Sequence, residues 1–111
     1  MGSTLILETS IFTKKISVLL DDEEYRTLQN FLVEIPTAGN IIQGSGGIRK
    51  IRWGAIGRGK RGGARIIYYW ASQQDQIFML YAYAKNERND LTKEQLSQIR
   101  DIVSAEFKNE K

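Results

Sequence analysis

Seven basic residues, Arg49, Lys50, Arg52, Arg58, Lys60, Arg61 and Arg65, lie within seventeen positions that hold five glycines and no acid. Glycine lets a backbone come close to a ligand, and clustered Lys and Arg neutralise phosphate charge, so a loop of this composition suits phosphate groups. RNA is the ligand it implies first. The uncompensated stretch is longer than the loop, because no acidic residue occurs between Glu34 and Asp75. The net charge of +3 hides this asymmetry: the other nine basic residues face thirteen acids, which leaves the remainder of the chain at about −4. A solvated basic surface loop is the competing reading, and the interleaved glycines and flanking strand patterns weigh against it.

The chain has no histidine and no cysteine. That excludes serine-histidine and cysteine-histidine hydrolase chemistry, thiolate metal sites and disulfides, and no cofactor or metal is required by anything that remains. The N-terminal MGSTLILETSIF lacks the basic and long apolar regions of a signal peptide, and no window reaches membrane-spanning length, so a cytoplasmic protein is expected.

Elements that position the basic segment follow from periodicity. Thr4 to Leu7 reads as an opening strand and Ser10 to about Ser17 as a short helix. From Asp21 an acidic first turn, apolar Tyr25, Leu28, Phe31, Leu32 and Ile35 at helical spacing, and Pro36 as a stop predict a second helix. Thr37 to Gly47 reads as a loop. Ile48 to Trp53, Ala64 to Ala71 and Ile77 to Ala84 then read as three strands joined by short connections, an antiparallel meander. Alternation puts Ile48, Lys50 and Arg52 on one face and Arg49, Ile51 and Trp53 on the other. Thr92 with Gln95 three residues on predicts a capped C-terminal helix carrying Leu96, Ile99, Ile102 or Val103, and Phe107. With 111 residues and 41% hydrophobic content, the chain is expected to form one α+β domain over residues 1–111. Its sheet would be antiparallel, of about four strands, packed by N-terminal helices and a C-terminal helix.

GSGGIRK (Gly44 to Lys50), GKRGGARIIYY (Gly59 to Tyr69) and KNE (Lys85 to Glu87), preceded by Pro36, Gly39, Ile42 and Gly44 in a P-x-x-G-x-x-I-x-G pattern, resemble the RelE/HigB-type toxins of bacterial toxin-antitoxin systems. The resemblance extends over nearly the whole chain. It implies a RelE-like fold and a small ribonuclease that cuts messenger RNA at the ribosomal 30S A site and inhibits translation. It also implies silencing by a cognate antitoxin, HigA-like and carrying a helix-turn-helix DNA-binding domain in the HigB-like branch. A non-catalytic RNA- or ribosome-binding module, or an inactive relative that keeps only antitoxin binding, are the other readings.

Cutting RNA through its own 2′-hydroxyl needs a proton taken from that hydroxyl, a stabilised phosphorane and a proton for the leaving 5′-oxygen. Without histidine, a lysine whose pKa is lowered by neighbouring cations is the most reasonable base, and arginines suit bidentate phosphate contacts. The resemblance puts Arg65 where the family has a catalytic arginine and gives it transition-state stabilisation. Lys85 matches the family's basic residue before the N-E pair, as acid or as phosphate contact, with Arg88 a lesser catalytic candidate in the same turn. Arg49, Lys50, Arg52, Arg58, Lys60 and Arg61 are expected to bind messenger and ribosomal RNA. Asn86 stands where some relatives have arginine, and Thr92 where some have tyrosine. Tyr68, Tyr69, Trp70, Tyr81 and Tyr83 read first as core, with base stacking the alternative. Trp53, beside the basic loop, is open to either role.

Overall fold

The computed structural model of the protein describes residues 3–54, 63–85 and 90–107. Among them run β1 (Leu5–Glu8), α1 (Ser10–Leu19), α2 (Asp22–Glu34), β2 (Asn40–Ile41), β3 (Ile48–Trp53), β4 (Ala64–Ala71), β5 (Gln76–Ala84) and α3 (Lys93–Phe107). The strands form one sheet in the order β1-β5-β4-β3-β2. The β3-β4-β5 meander is antiparallel throughout, as the spacing of its strands predicts. The sheet has five strands instead of about four and is mixed, because β1 lies parallel to β5 with Leu5 opposite Gln76 and Glu8 opposite Met79. The extra strand is β2, two residues inside the expected loop, paired to β3 through Asn40–Lys50 and Ile41–Arg49. Two residues are too few to show a period of two, and a strand's own alternation does not encode which way its neighbour runs.

Helix ends are set by side chains. Thr9 caps α1 by accepting the Phe12 N–H. Asp21 and Glu24 form a reciprocal capping box at α2, and Thr92 and Gln95 form another at α3. The Tyr25 hydroxyl on α2 donates to the Glu8 carboxylate on β1, and burial, reinforced by that carboxylate, raises the phenol well above its ordinary value.

Strand alternation divides the core into two layers. Phe12, Ile16, Leu28 and Leu32 of α1 and α2 pack on one face against Ala64, Ile66, Tyr68, Ile77, Met79 and Ala82. Ile99 and Val103 of α3 pack on the other, against Ile48, Ile67, Phe78, Leu80 and Tyr83. Both helix layers are needed because neither face of β4 or β5 is polar enough to meet water. The pairing of β4 with β5 jumps from Ile67–Tyr81 to Tyr68–Met79, so Leu80 is an extra residue on β5. This bulge shifts the phase of the strand and keeps Tyr81 and Tyr83 on the α3 side.

Two glycines are dictated by close approach. A Cβ on Gly39 would sit 2.9 Å from the Tyr68 ring and 3.0 Å from the Lys50 carbonyl oxygen. At the base of the β3-β4 hairpin, Gly63 has φ +67°, and a Cβ there would lie 2.4 Å from the Gly54 Cα and 2.5 Å from the Trp53 carbonyl oxygen. At Gly63 no other residue type fits without moving backbone, and at Gly39 a side chain would displace the end of the Tyr68 ring.

Candidate nucleic-acid interface

Arg65 opens β4 and stands directly opposite Arg52 on β3; Lys50, two residues earlier on β3, pairs with Ile67. These three cations and Asn40 of β2 line one open cleft of about 250 Å³. They reach the same side because they occupy alternate positions on adjacent antiparallel strands, the side that α3 covers further along the sheet. On its other neighbour Arg65 is opposite Tyr83, which is fully buried, so the guanidinium rises from a rigid base. Like charges directly opposite each other on a sheet are destabilising, and Arg52 facing Arg65 is such a pair. A bound anion removes that repulsion, which is what a phosphate site would use.

Lys85 follows the end of β5, where its backbone N–H donates to the Gly63 carbonyl at 3.2 Å. It therefore lies at the same end of the sheet as Arg65, exposed, although it is not among the described residues lining the cleft. Arg49 points to the opposite side of β3. Its Nη1 donates to the carbonyls of Gly39 at 2.8 Å and Thr37 at 3.2 Å, which ties down the segment leading into β2. Arg58, Lys60, Arg61 and Arg88 lie outside the described residues.

The Pro36 and Gly39 pattern works through packing. The Gly39 N–H donates to the Tyr68 hydroxyl at 2.9 Å, and that hydroxyl donates to the Pro36 carbonyl at 2.7 Å. Burial pushes the Tyr68 phenol up, opposed by the Gly39 N–H and the Arg49 charge. The tyrosine thus pins the chain just before Asn40, one wall of the cleft.

Two residues of the site carry no signal in the sequence. Asn40 enters the cleft through β2, which has no detectable pattern. Asp90 places its Oδ1 3.2 Å from the Lys50 Nζ, across forty residues of chain, and the same oxygen accepts the Leu91 N–H at 2.9 Å. Although partial burial opposes it, the Leu91 N–H and the Lys50 ammonium hold the Asp90 carboxyl below its ordinary value.

The aromatics are mostly committed to packing. Tyr68 and Tyr83 are fully buried, Trp53 packs on Phe31 with centroids 5.3 Å apart, and Tyr69 packs on Phe107 at 5.4 Å. The Lys15 ammonium stands 6.0 Å from the Tyr81 ring centroid. Among the described residues, no helix is long and apolar enough to cross a membrane.

Among solved structures, an arginine-to-alanine double mutant of E. coli toxin RelE in the free state is similar, with a TM-score of 0.56 and 16% identity, over 92% of this chain and 99% of that chain. A conserved hypothetical protein from Helicobacter pylori is also similar, with a TM-score of 0.54 and 17% identity, over 77% of this chain and 98% of that one. At these identities the likeness is one of fold. The family model described as the RelE toxin of the RelE/RelB toxin-antitoxin system matches residues 33–111, a span that takes in every strand of the meander, the basic segment and α3. With that match over well more than half of its length, the chain belongs to the RelE toxin family.

Proposed function

We propose that this protein is a ribosome-dependent endoribonuclease that cuts messenger RNA at the decoding site, needs no metal, and stops translation until a cognate antitoxin covers it. The observation that carries this reading is the cleft itself: Lys50, Arg52 and Arg65 converge in a segment of sequence with no acid. Membership of the RelE toxin family supports the same reading.

Arg65 and Arg52 act as a guanidinium pair on the scissile phosphate and hold the charge that grows on its oxygens as the 2′-hydroxyl attacks. A lysine takes or supplies a proton: Lys50 from inside the cleft, or Lys85 from the end of β5. Arg88 is a lesser contributor to the same chemistry. Arg58, Lys60 and Arg61 serve docking on ribosomal and messenger RNA, and Arg49 supports the site through the Thr37 and Gly39 carbonyls. The antitoxin, HigA-like by the resemblance of the motifs, silences the toxin by presenting acidic side chains to the cleft or by blocking entry to the ribosome.

Induced expression in a bacterium, with transcript 5′ ends mapped, tests the reading. New ends in phase with codons should appear within translated regions and vanish when initiation is blocked. Growth arrest with intact transcripts would instead identify a binder that obstructs the ribosome. Association with ribosomes should also weaken steeply with salt. Each single-strand phosphate neutralised contributes about −0.7 to the slope of log K against log salt, so the three cleft cations alone set a slope of about −2. A sedimentation series that shows no salt dependence would remove the cleft as the docking surface.

A further inference from the structure

One of the three cleft cations already carries a carboxylate, which reaches it from a residue that is not itself among those lining the cleft. The strands that build the cleft have no acid of their own, since residues 35–74 contain none. The carboxylate arrives from Asp90, at the entrance to α3, and meets Lys50 at 3.2 Å. Its aim is built into the fold. Leu91, the next residue, is half-buried against the α3-side core, and Thr92 is held in the capping box with Gln95. The Leu91 N–H then holds the same Oδ1 that meets the lysine.

The pair is also open to exchange. The Asp90 side chain is 66% exposed and Lys50 30%, and ion pairs this accessible contribute little to stability. A preorganised but weak pair on a cation that lines a binding cleft behaves as a placeholder: it satisfies the ammonium until a stronger anion arrives.

Resting on the reading of the cleft as an RNA site, we propose that Asp90 is an internal stand-in for phosphate, seated on Lys50 in the free protein and displaced by an RNA phosphate on binding. It thereby sets the affinity threshold of the cleft and selects for chain length. A single phosphate must compete with Asp90 alone, whereas a strand whose neighbouring phosphates also engage Arg52 and Arg65 recovers the lost pair. Free nucleotides are rejected and polynucleotide is kept.

The test is a double-mutant cycle on binding of a fluorescent, fully 2′-O-methylated RNA, which cannot be cleaved, to wild type, Asp90→Asn, Lys50→Met and the double variant. Asparagine keeps an oxygen for the Leu91 N–H, and thermal melts of all four proteins control for folding. Asp90→Asn should bind about two- to fivefold tighter at low salt, the factor that corresponds to an exposed pair of about 0.4–1 kcal/mol. Most of that gain should vanish in the Lys50→Met background, and inorganic phosphate should compete better against RNA on Asp90→Asn than on wild type. If wild type binds RNA and Asp90→Asn binds no tighter, or gains equally without Lys50, the placeholder is refuted while the RNA site stands. If neither protein binds RNA, the RNA site and the placeholder fall together.

Discussion

Arg65→Ala should lower RNA cleavage about 100- to 1000-fold, the loss of roughly 2.7–4 kcal/mol that follows removal of one preorganised donor to a developing oxyanion. The side chain rises from the start of β4, between Arg52 and the buried Tyr83, so its backbone is paired on both sides. Removing the side chain leaves the backbone pairing of β4 to β3 and β5 in place. The variant should therefore still fold and melt cooperatively, while codon-phased transcript ends and growth arrest disappear. Arg65→Lys keeps the charge without the planar fork and should recover only part of the activity. A fully toxic Arg65→Ala protein would end the assignment of this residue to the reaction.

Tyr68→Ala should have the largest effect on stability, about 3–5 kcal/mol, as expected for deleting a fully buried aromatic. The ring lies in the core under α1 and α2, and its hydroxyl bridges the Gly39 N–H and the Pro36 carbonyl. Tyr68→Phe separates the two contributions. It keeps the ring and orphans the Gly39 N–H and the Pro36 carbonyl, so it should cost about 1–3 kcal/mol. Because that hydroxyl pins the segment before Asn40, Tyr68→Phe should also weaken RNA binding although it touches no RNA. Denaturant unfolding measures the first effect and anisotropy binding the second. A Phe variant as stable as wild type would show that water replaces the hydroxyl without loss.

Much of the architecture was readable from residue patterns. The three meander strands, α2 and the capped α3 carry strong periodicity and clear end signals, and the alternation along Ile48 to Trp53 put Lys50 and Arg52 on one face, where the structure has them. Three features were not readable, each for a physical reason. The parallel pairing of β1 with β5 joins residues far apart in sequence, and no local pattern reports it. The bulge at Leu80 hides in an apolar run, where one residue more or less does not disturb the composition. The relation of Asp90 to Lys50 spans forty residues and depends on how α3 docks on the sheet. Nor does the charge of Arg49, which belongs to the basic segment, report that its guanidinium braces the Thr37 and Gly39 carbonyls.

The parallel edge has a consequence for how the chain comes into being. β5 is almost wholly apolar, and β1 covers its outer backbone edge from Gln76 to Met79, with Leu5 and Gln76 separated by 71 positions. During synthesis the first strand leaves the ribosome long before its neighbour exists, and the neighbour emerges as a sticky apolar ribbon with one side open until the two meet. Nascent chains are thus most prone to clump in the interval between the birth of β5 and the return of β1. Deleting Leu5 to Glu8 would leave that edge of β5 open for good, and such a variant should aggregate on expression.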